Sequence, residues 1–147
     1  MSDDNIAVFR DAFYLLCDEL IGRGSNRMVY SSRTHKNTVV KCESGAGDFQ
    51  NVLEWETWLR VRDTPFAKWF APCRWIGPTG VVLLQCRTDP VPEGKFPKMM
   101  PAFLADFKRT NYGMIGKQIV CHDYGTHLLF ENGMTKRMKL ANWWDLE

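Results

Sequence analysis

The stretch ELIGRGSNRMVYSSRTHKNTVVKC, Glu19 to Cys42, decides the fold. Glu19-Leu20-Ile21 reads as a strand running into glycines. Met28-Val29-Tyr30 reads as the returning strand. Thr38-Val39-Val40-Lys41-Cys42, rich in β-branched residues, is a third. Short connections between consecutive strands predict an antiparallel sheet. The turn Gly22-Arg23-Gly24 lies between the first two strands. Without a Cβ, backbone N–H groups there can approach phosphate oxygens. The frame is Gly22-x-Gly24-x-x-Arg27-x-Val29, and Arg27 either reaches phosphate or points to solvent. Lys41 alternates onto one face of its strand. An ammonium facing inward needs a carboxylate or phosphate partner, whereas one at a strand end reaches water.

Working outward, Asp4 caps a first helix, with Ile6, Phe9, Phe13, Leu16 and Leu20 at helical spacing, ending near Cys17. Ser44 to Asp48 reads as a turn and helix start, and 48 to about 62 as a helix. Pro72–Gly77 and Val81–Cys86 read as strands joined at Pro78-Thr79-Gly80. Thr88 to Pro101 is a loop, with one or two helical turns between Met99 and Asp106. Ile119-Val120-Cys121 and Leu128-Leu129-Phe130 read as short strands, Glu131-Asn132-Gly133 as a turn, and the tail as a short helix ending at Trp143-Trp144. The fold class expected is α+β. One domain over 1–147 carries an antiparallel sheet of about five strands and one packed helix.

Composition narrows the function classes. At 147 residues and 45% apolar content, the chain can build a core and is not disordered. A net charge of +2 gives no charge-based reason to favour nucleic acid. Lys136, Arg137 and Lys139 read as a solvated helix face. The six tryptophans read as core and partner surface rather than as base-stacking platforms. Five cysteines, odd in number and without C-x-x-C, predict free thiols in a reducing compartment. His35, His122 and His127 lack metal-ligand spacing and read as structural or surface residues. No run of 18 apolar residues suggests a membrane span, and Met1-Ser2-Asp3-Asp4 does not read as a signal peptide. The expected compartment is the cytoplasm.

The remaining polar residues suit phosphate and metal chemistry. Glu54 and Glu56 are both possible partners for Lys41. They lie about 200° apart around a helix, so only one can face the sheet. Glu54, flanked by tryptophans, is preferred. Asp106-x-Lys108-x-x-Asn111 places a carboxylate, an ammonium and an amide in one loop. The Asp can accept a hydroxyl proton, the Lys can steady a transferring phosphoryl group, and the Asn oxygen can ligate Mg²⁺. Asp123 follows the apolar Ile119-Val120-Cys121, where a metal-bridging carboxylate would stand. The turn Gly113-Met114-Ile115-Gly116 can form a hairpin that brings Asn111 and Asp123 to one ion. The alternative is a polar surface loop followed by an ordinary Asp-Tyr-Gly turn.

In order and spacing, these pieces resemble the protein-kinase-like superfamily. Val39-Val40-Lys41 is similar to its strand-three lysine motif. Leu104-Ala105-Asp106 to Asn111 resembles the catalytic loop, and Asp123-Tyr124-Gly125 the Asp-Phe-Gly motif. Val82 to Arg87 resembles the strand entering the adenine hinge, with Leu84 near the gatekeeper and Gln85 to Arg87 offering backbone groups. The resemblance implies ATP and Mg²⁺ as cofactors. It implies Gly22, Gly24, Val29, Lys41, Gln85 and Arg87 as nucleotide-binding residues. It implies Asp106 as base, Lys108 at the γ-phosphate, Lys41 held by Glu54, and Asn111 and Asp123 as metal ligands. The 18 residues at 88–105 leave no room for the usual pair of long helices, and the 22 residues after Gly125 carry no Ala-Pro-Glu motif. No arginine precedes Asp106, so activation by loop phosphorylation is not expected. Chains this compact are similar to small kinase-like proteins of bacteriophages. A missing helical lobe implies a protein partner or substrate, or apolar surface that a second copy could cover in a homodimer. The rival expectation is a pseudokinase-like binding protein that modulates a host protein.

Overall fold

Alternating side chains and short turns build one antiparallel sheet of five strands in the order β1-β2-β3-β5-β4. Its strands are β1 (Cys17–Arg23), β2 (Arg27–Ser32), β3 (Thr38–Glu43), β4 (Cys73–Ile76) and β5 (Val82–Cys86). The computed structural model describes residues 3–44 and 48–146. The turn expected over Gly45-Ala46-Gly47 lies outside the described residues. The α+β class and the five-stranded sheet agree with the sequence reading. No helix among the described residues is long and apolar enough to cross a membrane.

The chain divides into two compact units, Met1–Asn51 with Cys73–Arg87, and Val52–Pro72 with Thr88–Glu147. The first holds the sheet and helix α1 (Asp3–Leu16), which passes directly into β1. Phe13 of α1 meets Tyr30 of β2 edge-to-face at 5.2 Å. Helix α2 (Gln50–Val61) starts in this unit, and the Glu43 carboxylate accepts the Asn51 N–H in its first turn. That contact satisfies a helix-start donor with negative charge, as the dipole favours.

The second unit is built on Phe70, Phe103 and Tyr124, each at most 1% exposed. Phe70 stacks on Phe103 and meets Tyr124 edge-to-face at 5.0 Å. Two small ladders complete it. Strand β6 (Met99–Pro101) pairs with β9 (Met138–Leu140), and β7 (Tyr112–Ile115) forms a hairpin with β8 (Gln118–Cys121). A single helical turn, α3, covers Leu129–Asn132.

Three expectations are corrected here. Met99–Pro101 is a strand rather than a helical turn, because it finds β9 as a partner. The tail is that strand followed by extended chain, not a helix. Leu128-Leu129-Phe130 is not a strand: Leu129 buries as α3 begins, while Phe130 is 82% exposed. The tryptophans also lie at the margins, and none of the six is fully buried.

All five cysteines are free. Burial, with the Cys17 thiol beside it, pushes Cys42 from 9.0 up to about 12. The folded thiol therefore keeps its proton where the unfolded one has lost it. Its contribution to stability is full below about pH 9 and is lost as pH rises through about 12. Urea unfolding between these pH values should show a shallower alkaline loss of stability for Cys42→Ala than for the wild type. Parallel slopes would show that the thiol is not the group responsible.

Candidate functional site

In the first unit, register sorts the side chains by face. Val29, Lys41 and Leu83 are cross-strand neighbours, as are Ser31, Val39 and Gln85, and all six share one face. Val40 pairs with Leu84 on the other face. Leu84 is therefore not on the Lys41 side, and a gatekeeper role does not suit it; Leu83 and Gln85 hold that side. Lys41 is 3% exposed and Gln85 fully buried. Gln85 is paired with Val39 on one side and Cys73 on the other, so the ladder takes up its backbone groups. The Arg87 N–H goes to the Asn37 carbonyl at 2.8 Å. What Gln85 retains is its side chain. Its Nε2 makes only a long contact with Cys73 Sγ, 3.9 Å, and its Oε1 has no hydrogen-bond partner.

Asn51, which sequence reasoning passed over, ties this unit together. It is fully buried. Its Nδ2 donates to the carbonyls of Lys41 and Gly80, both at 3.0 Å, and its Oδ1 accepts from Arg27 Nη1 at 3.2 Å. That guanidinium nitrogen is thus engaged by Asn51. No sequence signal distinguishes this asparagine, because its partners are backbone carbonyls distant in the chain.

The turn lies later than expected: Gly22 is the last glycine of β1, paired with Val29, and the turn runs from Gly24 to Arg27, closed by Gly24 N–H to Arg27 O at 2.8 Å. A Cβ at Gly22 would come no nearer than 3.6 Å to Val29, and one at Gly24 no nearer than 3.7 Å to the Arg27 carbonyl. Neither needs left-handed backbone. The fold itself therefore does not demand glycine at these positions.

In the second unit, the polar residues gather at the open end of the β7–β8 hairpin. Asp106 is exposed and left-handed, with φ +54°. A non-glycine residue held there is a strained position of the kind found at functional sites. Asn111 ends a short 3₁₀ turn and is 7% exposed. Its Nδ2 donates to the Asp106 carboxylate at 3.1 Å and to the Asp106 carbonyl at 3.3 Å. With the amide nitrogen committed, Oδ1 is the atom left for a cation. The hairpin pairs Tyr112 with Cys121, and the next N–H, of His122, donates to the Asn111 carbonyl at 2.9 Å. Exposed Asp123 follows.

Tyr112 is held well above the usual phenol range, first by burial, then by Cys121, Asp106 and Asp123. Burial and the nearby charges of Asp123 and Glu54 raise the Cys121 thiol. Glu54, fully buried, accepts the Tyr124 N–H at 3.0 Å, whereas Glu56 is exposed. Of the two carboxylates, Glu54 is the one turned inward. Lys108 holds its ammonium 5.7 Å from the Trp144 ring centre, a modest cation–π contact. Trp143 was also missed as a site residue: it packs on Phe107 and Tyr112 and donates to the Pro97 carbonyl at 2.6 Å.

His127 is structural, bonded to Thr57 and to the Leu129 N–H. Burial and the Arg60 charge lower its pKa. Among the described residues, no group of three or more His, Cys, Asp and Glu could hold a metal. Asp123 and Asn111 offer two hard oxygen ligands. That suits Mg²⁺, which takes one or two carboxylates and completes its shell with water and substrate phosphates. No family model, curated protein or solved structure matches the chain.

The two kinds of glycine separate in a stability assay. At Gly113 an added Cβ would stand 2.3 Å from Thr88 Oγ1 and 2.9 Å from the Asp89 carbonyl. Gly113→Ala should therefore cost about 1–3 kcal/mol in urea unfolding. Gly24→Ala, with room for its methyl, should stay within about 1 kcal/mol of the wild type. Equal losses at both positions would contradict this account of the glycine turn.

Proposed function

We propose that the chain binds Mg·ATP and transfers the γ-phosphoryl group to an acceptor hydroxyl, as a minimal kinase-like phosphotransferase. The observation that carries this reading is the joint placement of Asp106, Asn111 and Asp123. A left-handed aspartate in the loop before a hairpin is bonded to a buried amide at the hairpin's open end, and the hairpin's other strand leads to a second carboxylate. Lys41 would hold the α and β phosphates, with Glu54 as its orienting carboxylate. Asn111 and Asp123 would hold Mg²⁺, which supplies charge neutralisation at the phosphates. Asp106 would take the acceptor's proton as its oxygen bonds to the γ-phosphorus and the bond to the β-phosphate oxygen breaks, releasing ADP. Lys108 would exchange its contact with Trp144 for the γ-phosphate.

Two features of the sheet support the nucleotide half of this reading. Gly22, at the end of β1, and Gly24, in the turn after it, are glycines that the fold does not require, which fits a strand end and turn kept bare for phosphate. Gln85 Oε1 is a buried acceptor lacking a partner on the Lys41 face, and the amine of an adenine is a donor that would satisfy it. Retention of every charged role in one chain argues for chemistry rather than a relic.

A specific observation favours a second reading, a nucleotide-holding binding protein. Helix α1 exposes Val8, Phe9 and Leu15, each more than 60% accessible, a face suited to a protein partner or a second copy.

The metal and catalytic roles are tested separately. Mg·ATP at 100 times its Kd should stabilise the protein by about 2.7 kcal/mol. Asp123→Asn should remove the Mg²⁺-dependent part of that gain. No thermal shift at millimolar Mg·ATP would refute nucleotide binding.

Asp106→Asn should cut transfer of labelled γ-phosphate by about 10² to 10⁴, with nucleotide affinity unchanged. A variant that loses transfer yet keeps the full biological effect would establish the binding-protein reading instead.

A further inference from the structure

His122 lies between the chain's two proposed metal ligands and belongs to neither. Its backbone N–H donates to the Asn111 carbonyl at 2.9 Å. Its Nε2 meets the Thr110 carbonyl at 2.7 Å. A carbonyl only accepts, so Nε2 carries the proton. Nδ1 is 2.7 Å from the Thr88 hydroxyl, which can serve it as donor or acceptor. Thr88 is held in turn. It sits over Gly113 so closely that a Cβ there would fall 2.5 Å from Thr88 Cβ. Its neighbour Asp89 exchanges two backbone hydrogen bonds with Met114, at 2.7 and 2.9 Å.

One imidazole therefore fastens three pieces of chain. These are the 3₁₀ turn that ends at Asn111, the strand end that continues into Asp123, and the Thr88 segment alongside β7. We infer that His122 is the positioning residue of the metal pair, with Thr88 setting the tilt of its ring. This inference rests on the phosphotransfer reading, in which Asn111 and Asp123 share one ion. The physical reason is that two ligands on different segments bind one cation well only if their separation is fixed in advance. Hydrogen bonds behind the ligands supply that fixation. Hairpin pairing ends at Tyr112 and Cys121, one residue short of Asn111 and two short of Asp123. Beyond it, the three bonds of His122 continue the registration up to Asp123.

The test uses Mn²⁺ as a spectroscopic stand-in for Mg²⁺. Its dissociation constant on the full chain is measured by electron paramagnetic resonance with ATP present. ATP affinity without metal is measured in parallel. Thr88→Val removes only the hydroxyl and keeps the shape, Thr88→Ser restores it, and His122→Ala removes the ring. Thr88→Val and His122→Ala should weaken Mn²⁺ about 10-fold or more. Thr88→Ser should return to within about twofold of the wild type, and metal-free ATP affinity should not move. Mn²⁺ affinity unchanged in both Thr88→Val and His122→Ala overturns the inference and leaves the metal reading standing. Parallel losses of metal and metal-free ATP affinity also overturn it, because they mark general loosening. A wild type that binds no Mn²⁺ with ATP overturns the metal reading and this inference together. If His122→Ala does not fold, Thr88→Val decides alone.

Discussion

A carboxylate without exposed surface, Glu54, receives the backbone N–H of Tyr124, and the second unit is arranged around that bond. Burying a carboxylate costs several kcal/mol unless hydrogen bonds replace its lost water. A charge-assisted bond to a backbone amide is a strong replacement, and it cannot be supplied by a wandering chain. Tyr124 is therefore fixed at both ends. Its ring fills the core against Phe70, and its hydroxyl donates to the Ala71 carbonyl at 2.8 Å. With Tyr124 immobile, Asp123 has little freedom, although its own side chain is exposed. A buried structural contact thus positions an accessible chemical group one residue away.

The same economy of buried polar groups recurs elsewhere. Asn51 and Asn111 are primary amides whose several hydrogen-bonding atoms let one side chain hold several strands of backbone. Asn51 joins β3 to the turn at Gly80 and to Arg27. Asn111 joins the loop at Asp106 to the hairpin. Losing Asn51 would strand the carbonyls of Lys41 and Gly80 in the interior, at about 1–3 kcal/mol for each unsatisfied group.

The legible parts of the sequence were those with a repeating signal. Alternation and β-branching marked β2, β3 and β5, and helical spacing marked α1 and α2 to within a few residues. The hairpin between Asn111 and Asp123 was expected from the turn read at Gly113 to Gly116; the turn itself is Gly116-Lys117, and Gly113 lies within β7. Other elements have no intrinsic period to detect. Met99-Met100-Pro101 is three residues long and becomes a strand only by meeting Met138–Leu140, far along the chain. Leu128-Leu129-Phe130 is an apolar run too short to tell strand from helix. Among site residues, charged groups at motif spacing could be named in advance. Thr88, His122 and Asn51 could not, since their importance comes from partners that tertiary structure brings to them. The tryptophans misled because size suggests core, while an indole also serves as a cover that keeps one edge in water.

That use of tryptophan bears on how so small a unit can hold a strained polar loop. Fixing each loop residue costs about 1–2 kcal/mol of backbone entropy, and Asp106 adds the cost of a left-handed conformation. The extended tail repays part of those terms by burial. Trp143 packs against Phe96, Phe107 and Tyr112, so the apolar side of the loop is covered by one ring with three neighbours. Backbone bonds then run in both directions, Trp144 N–H to the Phe107 carbonyl and Arg109 N–H to the Trp144 carbonyl. Arg109 meets the Asp145 carboxylate at 2.9 Å and closes the strap on its exposed side. The exposed ion pair adds little by itself. The weight falls on the half-buried indole and the two backbone bonds, which hold residues 107 and 109 on either side of Lys108. The loop's polar side chains can then remain at the surface, because the backbone beneath them is secured by the tail rather than by their own contacts.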